Sequence, residues 1–294
     1  MMKTDNVLTL PDGRKLAYAE FGNTDGYPVF YFHATPSSRL EPLSIGDDVF
    51  SEFGLRVICP DRPGMGGSDF QKQRGFSDWP EDMKFLAEAI GLDKFSVLGV
   101  SGGGGYAAVC AAKIPEKLSN VVIASGSWRI NSEAVKMIGF PMNQMWRVTI
   151  HAPILLPIII KTMTKMMSQS PKNGFEEISA PPNKYFPAAD HAVMAQPGRM
   201  EITQHIMKEA INQGTQGPAW DYRLCVREWD FDPAEIIIPV TLFHGEEDRN
   251  YPLSLVERVV SKLPYAELIT YPEDGHISTY TNHFDEIAEA LMLG

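Results

Sequence analysis

Short apolar runs and amphipathic stretches alternate through residues 1–127, break off, and resume near Ile236. Residues 7–10 and 15–21 flank Pro-Asp-Gly, a turn signal, and predict a hairpin. Residues 29–33, 55–60, 95–100 and 121–125 are short apolar runs closed by turn residues, as buried strands are. Between them, residues 38–53 can hold a helix, and residues 78–90 place Trp79, Met83, Leu86 and Ile90 on one helical face. Four glycines separate the 95–100 strand from a helix-like stretch over 106–113. After residue 236 the rhythm gives a strand at 239–244, a helix at 253–263 and a strand at 267–271. A closing helix over 278–293 puts Tyr280, Phe284, Ile287 and Leu291 on one face. Strands alternating with helices predict a mainly parallel sheet covered on both faces.

The interruption predicts an insertion that returns the chain to the same sheet. Residues 128–231 hold 9 of the 14 methionines and 4 of the 5 tryptophans. They carry 11 basic and 9 acidic residues, whereas the whole chain is at −11. Met and Trp enrichment fits a helical mini-core, and also an adaptable surface for apolar ligands. Placed after a strand, over the carboxyl ends of a parallel sheet, such an insertion lies where these sheets bind ligands.

Composition adds exclusions. With 44% hydrophobic and 21% charged residues, the chain of 294 residues has the make-up of an ordinary globular protein. The acidic balance argues against a nucleic-acid partner, which requires clustered Lys and Arg. Cys59, Cys110 and Cys225 are too few and too scattered for a disulfide framework or a metal site, so no metal or other cofactor is expected. The N-terminal residues lack an apolar signal core, and the longest apolar run, residues 152–160, carries Pro153 and Pro157. That run is far short of the ~20 residues a spanning helix needs. A cytoplasmic location without stable membrane insertion is expected. Lys161 and Lys165 above the apolar residues of 150–167 would also suit a membrane surface, but packing within the insertion is the expectation for that segment.

The sharpest chemical signal is Gly99-Val100-Ser101-Gly102-Gly103, between a strand and a helix. This is the context of a nucleophile elbow, in which a strained turn holds a serine hydroxyl above the sheet. A side chain at 99 or 103 would collide where strand and helix converge. Phosphate binding at the same turn is a poor alternative, because no Gly-Lys-Ser/Thr follows. A serine needs a base and a group to orient that base. Of the seven histidines, His276 follows the last strand in Pro-Glu-Asp-Gly-His. His33 and His244 end strands and suit buried core roles; His151, His191 and His205 fall in the insertion, and His283 on the charged side of the closing helix. In this architecture the partners run serine, acid, histidine, which selects Ser101, Asp248 and His276. Glu246 and Glu247 rival Asp248 for the acid, and Asp274 does so more weakly.

Together these pieces resemble the α/β-hydrolase fold superfamily, in its capped, serine esterase-like form. The resemblance covers nearly the whole chain outside 128–231. It rests on His33-Ala34-Thr35-Pro36, on Asp61 to Ser68 (DRPGMGGS), on the serine elbow, on Gly245-Glu246-Glu247-Asp248 and on Gly275-His276. It implies an eight-stranded, mostly parallel sheet flanked by helices, with residues 1–127 and 232–294 as core and 128–231 as a helical cap inserted after the sixth strand. It also implies an oxyanion hole from the backbone N–H groups of Gly102 and Thr35, with Ala34 the alternative because the family's usual glycine is missing there. Arg62 and Asp61 are expected to hold loop geometry. The implied activity is carboxylesterase-like hydrolysis of a small, largely apolar acyl substrate. Ligand binding with slow turnover, carbon–carbon bond hydrolysis and cofactor-free peroxidation use the same residues. Aminopeptidase action would require an acidic group such as Glu201, Glu209 or Asp221 to hold an ammonium.

Overall fold

The computed structural model describes residues 2–169 and 187–293, with residues 167–169 described by their backbone alone. Eight strands form one sheet: β1 (Lys3–Thr9), β2 (Lys15–Gly22), β3 (Tyr27–Phe32), β4 (Leu55–Pro60), β5 (Phe95–Val100), β6 (Leu118–Ala124), β7 (Val240–Gly245) and β8 (Ala266–Tyr271). Their spatial order is β1-β2-β4-β3-β5-β6-β7-β8. The β1–β2 hairpin and the β2–β4 pair are antiparallel; every later pair is parallel.

Strand alternation sends side chains to two cores. Phe30, Phe32, Ile58 and Val97 point to one, which α2 (Trp79–Ala89) and α3 (Gly104–Lys113) cover. Val29, Tyr31, Val57, Leu98 and Val100 point to the other, against α1 (Asp47–Glu52) and the C-terminal helix. A strand buried on both faces reads as an unbroken apolar run, which is why β3, β4 and β5 were legible. Fully burying each such side chain contributes about 1.5–3 kcal/mol.

Between β6 and β7 the described elements are helices: α4 (Ala134–Met137), α5 (Met142–His151), α6 (Leu156–Gln169), α7 (Ala188–Met194), α8 (Arg199–Ala210) and α9 (Gln216–Val226). Leu156, Ile160 and Thr164, spaced four apart, are the buried stripe of α6. Ile159 packs partly against the core, whereas Ile158 is 65% and Met166 66% exposed, next to Ile154 at 84%. Residues 150–166, expected to pack within the insertion, do so along one stripe and leave other apolar side chains exposed. Among the described residues no single helix is long and apolar enough to cross a membrane; α5 and residues 153–166 reach that length and composition only as a pair bent by 114°.

After β7 come α10 (Leu253–Val260), then α11 (Ser278–Asn282) and α12 (Phe284–Met292). The continuous helix expected over 278–293 is therefore broken at His283. That ring stacks on Tyr271, and its Nε2 donates to Asp274 at 2.6 Å. Asn282 donates to the same carboxylate at 2.9 Å. These contacts outweigh local periodicity. Likewise, residues 38–53 form a 3₁₀ turn (Glu41–Ser44) and the short α1 rather than one helix, because Gly46 adopts a φ of 120° between them.

Candidate active site

The parallel strands bring their carboxyl ends to one edge of the sheet, so the loops after β3, β5, β7 and β8 meet there. At the end of β5 the chain turns directly into α3, and Ser101 takes a φ of 50°, a left-handed conformation rare outside glycine. The glycines permit the turn. A Cβ on Gly99 would lie 2.7 Å from the Gly103 carbonyl oxygen and 2.8 Å from the Ala107 methyl. A Cβ on Gly102 would run into the Thr35 hydroxyl.

Ser101 Oγ lies 2.8 Å from His276 Nε2, and His276 Nδ1 lies 2.7 Å from Asp248 Oδ2. Asp248 is buried, and its Oδ1 accepts from the Asn250 and Tyr251 N–H groups at 2.7 and 2.9 Å. Burial works against its charge, but the His276 ring, by charge and hydrogen bond, then His244 and the Tyr251 N–H outweigh it, so the carboxyl titrates below its usual range. An ionised carboxylate only accepts, so Nδ1 carries the imidazole proton and Nε2 is left to accept from the Ser101 hydroxyl. Burial disfavours a charged His276, yet the charge and hydrogen bond of Asp248, followed by the charges of Asp190 and Glu41, raise its pKa above the ordinary histidine value.

The rival acids point elsewhere. Glu246 accepts from the Thr270 hydroxyl, Glu247 pairs with Arg249, and Asp274 binds His283 and Asn282. The other strand-end histidines are core groups. His244 Nε2 sits 2.8 Å from the Tyr251 carbonyl oxygen, and His33 Nδ1 2.8 Å from that of Ala34. Burial drives the His33 pKa well down, so this ring is neutral.

Thr35 and Ala34 separate clearly. The Ala34 N–H donates to Glu41 Oε2 at 2.9 Å, and Glu41 also accepts from the Tyr31 hydroxyl at 2.9 Å. The Thr35 nitrogen lies beside the elbow: a Cβ on Gly102 would come within 3.1 Å of it. The Thr35 hydroxyl is held from below by Arg62 at 2.6 Å and donates to Asp221 Oδ2 at 3.0 Å. Arg62 also donates to the Ala34 carbonyl at 2.8 Å, and Asp61 accepts from the Arg39 and Gly67 N–H groups. The Asp61–Ser68 loop is thus a scaffold for the loop after β3.

A cavity of about 310 Å³ opens above Ser101 and His276. Its roof and walls come from Met142 and Trp146 on α5, Met207 on α8, Tyr222 and Cys225 on α9, and Tyr280 on α11. Apart from His276, none of its lining residues is acidic or basic. Burial pushes the Cys225 thiol up to about 12, so it adds an apolar wall, not a thiolate. Among the insertion's residues Met137, Met142, Met145, Trp146, Met163, Met166 and Met167, which the sequence offers as an apolar roof, Met142 and Trp146 line the cavity, and Met137 packs against the core. Met145 is buried, Met163 and Met166 face outward, and the Met167 side chain lies outside the described residues. Met207, Tyr222 and Tyr280 carried no sequence signal for this role. Glu201 and Glu209 do not reach the cavity, and Asp221 is buried beneath it between Arg62 and Arg74. Among the described residues no group of three or more His, Cys, Asp or Glu is placed to hold a metal ion. A larger cleft of about 770 Å³, lined by Trp128, Trp229 and Phe231, contains no nucleophile–base pair.

Residues 27–155 match a family model described as the alpha/beta hydrolase fold. Over 286 residues, 92% of each chain, the protein is 24% identical to a bifunctional esterase/perhydrolase of Acinetobacter calcoaceticus. A hydrolase from Pseudomonas aeruginosa superposes with a TM-score of 0.66 at 20% identity, covering 98% of this chain and 97% of the other. A thermophilic esterase from Thermogutta terrifontis superposes with a TM-score of 0.63 at 18% identity, covering 99% and 96%. The eight-stranded sheet, its strand order and the family match agree: the chain has the α/β-hydrolase fold.

Proposed function

We propose that the protein is a serine hydrolase that cleaves a carboxylic ester, or a related acyl bond, of a small and largely apolar substrate. One observation carries the reading: the Ser101–His276–Asp248 hydrogen-bonded line ends at the floor of an apolar cavity. His276 Nε2 takes the proton of Ser101 as Oγ attacks the acyl carbon, and Asp248 keeps the ring in the required tautomer and stabilises its charged form. The Gly102 and Thr35 N–H groups receive the oxyanion, each worth roughly 3–4 kcal/mol when aimed at the transition state. The alcohol leaves with the proton from His276. Water, deprotonated by the same ring, then cleaves the acyl-enzyme and restores Ser101. Residues 128–231 act as the cap: α5, α8 and α9 roof the reacting centre and exclude bulk water. The uncharged lining favours apolar groups on either side of the scissile bond over an ammonium or a phosphate.

The test is labelling by a fluorophosphonate together with turnover of p-nitrophenyl butyrate. Labelling at Ser101 and hydrolysis that falls at least ~10³-fold in folded Ser101→Ala are expected. Folded Ser101→Ala that keeps most of its activity refutes the mechanism. Slow or absent turnover by a labelled protein points to ligand binding instead.

A further inference from the structure

The loop that carries His276 is held by a second carboxylate besides Asp248. Asp190 lies on α7, within the helical stretch between β6 and β7, and is 3% exposed. Its Oδ2 accepts from the His276 N–H at 2.9 Å. Its Oδ1 accepts from the Ile277 and Ser278 N–H groups at 2.9 and 2.8 Å, and from the Ser278 hydroxyl at 2.8 Å. The Ser278 hydroxyl in turn accepts from the Gly275 N–H at 2.7 Å, so four consecutive residues are tied to one side chain. Gly275 permits the approach, since a Cβ there would meet the carboxylate at 2.5–2.8 Å. These N–H groups lie just before and at the start of α11, where intrahelical partners are lacking.

We infer that Asp190 is a positioning residue for His276, supplied by the cap, so that the base is in line with Ser101 only while the cap is seated. This deepens the serine-hydrolase reading and rests on it. Two effects follow. Geometrically, Asp190 pins the peptide of His276 while Asp248 holds its ring, which fixes where the imidazole can swing. A displacement of about 1 Å at a reacting group can lower a rate by ~10²-fold. Electrostatically, the groups facing His276 are Asp248 after β7, Asp190 on α7, Glu41 after β3, and His244 at the end of β7. Removing one negative charge from this set lowers the histidine pKa.

Asp190→Asn keeps the size of the side chain and one carbonyl acceptor, but removes the charge and turns a donor toward the His276 N–H. The expected result is a ~10–100-fold fall in kcat with KM within about twofold, and an acid limb of the pH–rate profile moved to lower pH. The His276 imidazole titration, followed by NMR, should move the same way whether or not substrate is turned over. Ser278→Ala, which deletes only the hydroxyl linking Gly275 to Asp190, should lower kcat in the same sense without moving KM, and serves if Asp190→Asn does not fold. Unchanged kcat, limb and imidazole titration in folded Asp190→Asn overturn the inference, as does unchanged kcat in folded Ser278→Ala when that variant must stand in. If the unsubstituted protein is not labelled by fluorophosphonate, it is the serine mechanism that fails; a labelled parent with an indifferent Asp190→Asn condemns only the role of Asp190.

Discussion

Replacing Asp221 by Asn tests how the loop after β3 is held. Asp221 comes from α9, and the groups it binds come from the sheet edge. Its Oδ2 accepts from Arg62 Nε at 2.6 Å and from the Thr35 hydroxyl at 3.0 Å; its Oδ1 accepts from the Tyr106 hydroxyl at 2.7 Å and from Arg74. The side chains of Arg62, Arg74 and Asp221 are at most 1% exposed. Both guanidinium groups also lie over the Tyr106 ring, at 4.8 and 5.8 Å from its centroid. Asn has the same shape but no charge, and its amide nitrogen would face two donors. Removing one partner of a buried pair costs about 3–5 kcal/mol, because the remaining charge stays buried without compensation. Unfolding entropy of about 2.1 cal/mol/K per residue amounts to roughly 0.6 kcal/mol/K for a chain of 294 residues. The loss should therefore appear as a fall in Tm of about 5–8 °C by calorimetry at pH 7. Adding Arg74→Met should restore part of it, since the double variant again holds one fewer uncompensated cation. Activity should fall further than unfolding explains, because the Thr35 hydroxyl loses an acceptor and the Thr35 N–H its fixed direction. A Tm within ~2 °C of the parent would show that Arg62 and Arg74 do not depend on Asp221 for compensation, and the argument would be wrong.

Other outcomes follow from the same geometry. Asp248→Asn should lower kcat by about 10⁴-fold, whereas Glu246→Gln and Glu247→Gln should stay within a few-fold; a crippling Glu substitution would place the acid wrongly. Because His276 must be neutral to accept the serine proton and its pKa is raised, kcat/KM should fall as pH drops through a midpoint above about 6.5; a midpoint below that value contradicts the charge arrangement around the ring. In a p-nitrophenyl acetate-to-octanoate series, kcat/KM should climb up to about fourfold per methylene until the 310 Å³ cavity fills, then decline. Trp146→Ala should move the optimum to longer acyl groups, and a flat series in both proteins would show that the acyl chain binds elsewhere.

What could be read along the chain was whatever is settled within a few residues. Strands β3, β4 and β5 are buried on both sides and need unbroken apolar runs, and those runs are visible in the sequence. The elbow needs glycines on both sides of Ser101, and the turn imposes that requirement locally. Ser101, Asp248 and His276 could be selected because each lies in the turn or loop that follows a strand, in the order serine, acid, histidine. The boundaries failed where a distant contact outvoted local pattern, as at His283, whose ring is claimed by Tyr271 and Asp274.

The rest belonged to the tertiary structure. That the Ala34 N–H is taken by Glu41 depends on a loop folded back after β3. Which methionines face the cavity depends on how α5, α6 and α8 rotate about their axes, and an apolar side chain satisfies any of those faces equally in the sequence. Asp190 and Asp221 look like ordinary acidic positions on amphipathic helices. Their partners lie 86 to 88 residues away for the His276 loop and 159 away for Arg62, and a hydrogen bond across such a distance leaves no period, spacing or turn signal by which a chain could announce it.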